Sequence, residues 1–117
     1  MSAIKTIGTS EFEEQALNAK GLVLVDFSAT WCGPCKRMLP ELEAAAQELG
    51  SNVSVLKVDV DESPEIANRY GVQGIPNLTF FKDGKVVDVQ VGAIPRAAIV
   101  SRAKKNLSEQ ERTAKSG

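Results

Sequence analysis

Residues 22–27 read Leu-Val-Leu-Val-Asp-Phe, an apolar run of strand length interrupted by a single charge at Asp26. A strand that is apolar at successive positions has no solvent face, so it belongs inside a sheet with helices packed on both sides. The flanking segments agree. Before it, Ser10 and Glu13 have capping-box spacing, Phe12, Ala16, Leu17 and Ala19 share a helical face, and Gly21 supplies a stop. After it, Met38, Leu39, Leu42, Ala45, Ala46 and Leu49 recur at helical spacing up to Gly50, with Pro40 inside the pattern. A second strand covers 53–60, and Ser63-Pro64 opens a short helix that stops at Gly71. Strand 78–81, the turn Lys82-Asp83-Gly84-Lys85 and strand 86–91 form a hairpin. Pro95 starts a last helix with Ala98, Ile99, Ala103 and Leu107 inward, and residues 108–117 are expected to fray. With a short first strand around Ile4 and Ile7, the order is β-α-β-α-β-α-β-β-α. That is an α/β fold whose central mixed sheet is parallel in its first half, antiparallel at one edge, and flanked by helices on both faces.

The 117 residues suffice for one domain, 1–117, and for no second one. Fourteen basic residues against fifteen acidic give a net charge of −1, so no electrostatic pull toward nucleic acid or an anionic membrane is expected. No apolar run is long enough to span a bilayer, and Met1 to Lys5 are not followed by a signal-peptide core, so the chain reads as cytoplasmic.

Histidine is absent, which excludes a Ser-His-Asp triad, a Cys-His pair and imidazole metal ligation. Cys32 and Cys35 are the only cysteines. Cys32 falls where strand 22–27 has ended and the next helix begins, and residues three apart on a helix are neighbours within reach of a disulfide. At the helix N-terminus the macrodipole and free amides favour a Cys32 thiolate; Cys35, one turn in, is expected to be more buried and less ionised. One attacking and one resolving thiol follow. A structural zinc knuckle lacks its other ligands, so no metal site is expected. A purely structural disulfide would close a very short loop, and two inert thiols sit poorly with the constrained turn of Trp31, Gly33 and Pro34. A CxxC after a strand in a β-α pattern is a redox signature.

Asp26 is either a carboxylate satisfied by a local cap or ion pair, or a buried acid of raised pKa that exchanges a proton with Cys35. Lys57, central in the next strand, either approaches Asp26 or snorkels to the sheet end.

Trp31-Cys32-Gly33-Pro34-Cys35-Lys36, Asp26 on the preceding strand and Gly74-Ile75-Pro76 before the hairpin together resemble the thioredoxin family, from about Ile7 to Leu107. The resemblance implies the thioredoxin fold and a protein-disulfide reductase cycling a Cys32–Cys35 disulfide. It implies a thioredoxin reductase as partner, with NADPH as ultimate donor, disulfide-containing proteins as targets, no bound cofactor, and a monomer. It supports Asp26 as proton acceptor for Cys35. Relatives that oxidise or isomerise disulfides tend to carry a histidine between the thiols, which stabilises the reduced form; Gly33-Pro34 does not, and this implies a reductant. The resemblance also implies a cis bond at Ile75-Pro76 opposite the thiols. The Ile75 backbone would pair with an extended target segment, within an apolar surface of Trp31, Gly33, Ile75, Pro76, Gly92 and Ala93. Gly92 is equally readable as a glycine that ends a strand. The chain departs from the family pattern at Ser28, where many members have tryptophan, and at Asn77, where threonine is common. Pro95 is preceded by no Ser or Thr cap. Two rivals remain at this point, an enzyme running in the oxidising direction and a non-catalytic binding module on the same fold.

Overall fold

The structure is a computed structural model that describes residues 4–107, so the tail expected over 108–117 lies outside the described residues. Along them run β1 (Lys5–Thr6), α1 (Thr9–Phe12) continued by a π-helical turn (Glu13–Leu17), β2 (Leu22–Ser28) and α2 (Gly33–Leu49). Then follow a 3-10 turn (Gly50–Asn52), β3 (Val53–Asp59), α3 (Pro64–Arg69), β4 (Asn77–Lys82), β5 (Lys85–Val91) and α4 (Arg96–Lys105). The element order is the one expected.

The strands form one sheet in the order β1-β3-β2-β4-β5. β1, β3 and β2 are parallel, and β4 runs antiparallel to β2 and to β5. The apolar run thus occupies the middle strand, as its lack of a polar face required. Alternation along β2 sends Leu22 and Leu24 toward α2 and α4, where they meet Met38, Leu42, Leu49, Phe80 and Ile99. Val23, Val25 and Phe27 point the other way, into a cluster with Phe12, Ile66 and Phe81. Each such side chain taken fully from water contributes about 1.5–3 kcal/mol. Asp26 has the parity of Leu22 and Leu24, so its carboxyl faces the α2 side of the sheet.

Several local expectations change. The first helix starts two residues early: Glu11 Oε1, not Glu13, reaches back and accepts the Gly8 N–H at 3.0 Å. It also ends at Leu17, before Gly21. Leu39 is only half-buried, whereas the other apolar positions of the α2 stripe are buried. Val100, rather than Ala98, joins Ile99, Ala103 and Leu107 in the core under α4. The hairpin turn places Asp83 and Gly84 at φ 53 and 78, the two positive values that a type I′ turn requires. No helix among the described residues is long and apolar enough to cross a membrane.

Candidate active site

β2 ends at Ser28, and a short turn delivers Cys32 as the N-cap of α2, with extended backbone at φ −88 and ψ 110. The Cys35 N–H donates to Cys32 Sγ at 3.2 Å, so the sulfur itself satisfies one of the orphan amides of the helix start. Cys32 and Cys35 form a disulfide, with Cα atoms 5.2 Å apart. The expected contrast in burial is absent, because both residues are 4% exposed. What separates them is position. Cys32 sulfur sits at the positive end of the helix and accepts an amide proton, and Cys35 lies within the first turn. Gly33 and Pro34 occupy that turn and are exposed.

The Ile75–Pro76 peptide bond is cis. Ile75 packs against the cluster of Ala29, Cys32 and Cys35, and Pro76 is buried behind it. The Gly92 N–H donates to the Pro76 carbonyl at 2.9 Å, which brings the end of β5 beside the proline. At φ +98 Gly92, directly after β5, adopts a backbone that side chains rarely tolerate, which accounts for a glycine at this position. Ala93 follows it, exposed. Trp31 is the most exposed large apolar residue described, at 67%, yet its indole is anchored: Nε1–H donates to Asp61 Oδ2 at 2.7 Å. Asp61 was missed in the sequence. Its signal lies in Asp59-Val60-Asp61-Glu62 just past a parallel strand, at the same sheet end as Cys32. Asp59 Oδ1 accepts the Asp61 N–H at 2.8 Å and folds that turn toward Trp31.

Asp26 is 1% exposed, and its Oδ1 has no hydrogen-bond partner. Burial raises its pKa from 3.8 to about 7, and the Lys57 charge pulls the other way. Lys57 is in register with Asp26 on the adjoining strand, half-buried. Asp26, Ser28, Cys35 and Lys57 line one cavity of about 330 Å³. Ser28 is 2% exposed, and its hydroxyl likewise has no partner. The Asp26 carboxyl is thus buried with one oxygen unpaired and Lys57 in register beside it. Among the described residues, no three His, Cys, Asp or Glu side chains gather as metal ligands.

The thioredoxin family model matches residues 3–105. A thioredoxin of Bacillus subtilis is 47% identical over 92 residues, 79% of this chain and 88% of its own length. A thioredoxin of Rhodospirillum rubrum is 45% identical over 96 residues, covering 82% of this chain and 92% of the relative. The chain belongs to the thioredoxin family. Thioredoxin 1 of Nostoc sp. aligns over 107 residues at 40% identity, 92% of this chain and all of its own. As a member, the chain is a dithiol–disulfide oxidoreductase that works by thiol–disulfide exchange, and the Cys32–Cys35 disulfide is its redox group. The family uses no bound cofactor; it is recycled by a reductase, through which NADPH supplies the electrons.

Proposed function

We propose that the chain reduces protein disulfides in the cytoplasm, with Cys32 attacking and Cys35 resolving. The observation that carries this reading is Cys32 Sγ held at the start of α2, accepting the Cys35 N–H. Negative charge on that sulfur is favoured by the same amide and by the helix dipole. The Cys32 thiolate attacks one sulfur of a target disulfide, and the other target sulfur leaves with the electron pair and takes a proton from solvent. Cys35 then gives its proton to the Asp26 carboxylate, and its sulfur attacks Cys32 Sγ. The mixed disulfide breaks, the second target thiolate leaves, and the Cys32–Cys35 bond forms. The cavity shared by Asp26 and Cys35 and the raised pKa of Asp26, near 7, support a carboxylate able to take and return that proton at neutral pH. Lys57 tunes Asp26 toward its charged form.

The target segment lies extended over Ile75 and Pro76, flanked by Trp31 and by Gly92 and Ala93, with Ile75 backbone as its pairing partner. Gly33 and Pro34 leave the contact surface flat and hold the pair at a reducing potential. One copy carries the whole redox pair, so a monomer suffices. A thioredoxin reductase re-reduces the disulfide. Cytoplasm follows from direction, since a reductant acts where thiols are kept reduced. The test is insulin-disulfide reduction coupled to a thioredoxin reductase and NADPH. NADPH consumption that depends on the chain is expected. No consumption, or retained activity after both cysteines become serine, overturns the reading.

A further inference from the structure

Helix α4 begins at Arg96 after Pro95, and it has no capping side chain of its own. Its first amide is nevertheless satisfied from another helix. Glu41 Oε1, on α2, accepts the Arg96 N–H at 2.7 Å. The Arg96 guanidinium also pairs with Glu48, two turns further along α2. A carboxylate there answers both the orphan donor and the positive end of the α4 dipole. Glu41 stands six residues after Cys35, about 9 Å along the same helix. The loop over residues 92–95 is therefore tied at both ends: the Gly92 N–H to the Pro76 carbonyl, and the Arg96 N–H to the helix that carries the thiols.

We propose that Glu41 is a positioning residue for target recognition, which holds Gly92 and Ala93 beside Pro76 by capping α4. This rests on the reading that Gly92 and Ala93 touch the target. Without the cap the first turn of α4 frays, and the loop keeps one anchor of two. The thiols, held by the first turn of α2, stay in place. A small disulfide needs only the Cys32 sulfur, whereas a protein segment needs the groove as well. Glu41 therefore acts on KM for protein disulfides and leaves the exchange chemistry unchanged.

The test compares Glu41→Ala, Glu41→Gln and Ala93→Asp in reductase-coupled insulin reduction and in the reaction of the reduced chain with a small aromatic disulfide. Glu41→Ala is expected to raise KM for insulin by up to about fivefold, the ceiling set by one lost helix cap, with kcat and the small-disulfide rate retained. Glu41→Gln keeps an acceptor oxygen and is expected to restore KM. Arg96→Pro deletes the donor and suits the first helical position, so Glu41→Ala has no further effect in that background. An unchanged KM in Glu41→Ala beside a raised KM in Ala93→Asp overturns the role of Glu41 alone. An unchanged KM in Ala93→Asp overturns the groove on which it rests. Equal losses with both disulfides assign Glu41 to the thiol helix and overturn the proposal.

Discussion

Replacing Asp26 by alanine separates the stability of the fold from the working of its site. The carboxyl is 1% exposed, faces α2 from the middle strand, and has a pKa of about 7 against 3.8 in the open chain. A raised folded pKa means that the deprotonated group opposes folding. The full stability is present below pH 3.8 and is lost progressively as pH rises through about 7. At about 1.4 kcal/mol per pH unit, the gap between the two values amounts to about 4 kcal/mol at neutral pH and slightly more above it. Alanine removes that penalty and enlarges the cavity of about 330 Å³ already beside the carboxyl. The added cavity costs about 1 kcal/mol or more. Asp26→Ala is therefore expected to be more stable than the parent by about 1–4 kcal/mol at pH 7, and by progressively less toward pH 4. Urea unfolding of both proteins from pH 4 to pH 8 measures the difference, and single-turnover decay of the mixed disulfide measures resolution by Cys35. Resolution is expected to slow by about 10²-fold or more with the proton acceptor gone. A stability difference that does not vary with pH, or a less stable variant that resolves at the parental rate, refutes the reasoning. Asp26 would then be a satisfied structural carboxylate.

Three further outcomes are expected. Cys35→Ser should accumulate mixed disulfides with target proteins and Cys32→Ser should not, as judged by thiol-sensitive bands on non-reducing gels; equal trapping by both reverses or erases the assigned roles. Trp31 emission should change on addition of dithiothreitol, because Trp31 directly precedes Cys32 in the chain, and Asp61→Ala should alter the spectrum by freeing Nε1; a spectrum indifferent to both disconnects Trp31 from the redox pair. Ser28→Ala should raise unfolding free energy by about 1 kcal/mol, since it deletes a buried hydroxyl that has no partner; a loss of stability in urea would show that the hydroxyl is satisfied.

The element order, the central place of β2 and the redox pair were all legible in the amino-acid sequence, because each rests on short-range physics. Residues 22–27 have no polar face to offer water, Cys32 and Cys35 are one helical turn apart, and Asp83-Gly84 suits only a turn with positive φ. Boundaries were less legible where two local signals competed. Ser10 with Glu13 and Gly8 with Glu11 have the same spacing, and packing of Phe12 against Tyr70 and Phe81 goes with the earlier start. The site beyond the thiols depended on contacts between distant segments. Asp61 meets Trp31 across 30 residues, and Glu41 supplies across 55 the cap that Pro95 cannot. Gly92 reaches Pro76 only because β5 folds back along β4. Hydrophobic periodicity and capping chemistry act within a few residues, so sequence alone determines which elements form and which chemistry they carry. The sheet's register and the packing of α2 against α4 then decide which of those residues share a site.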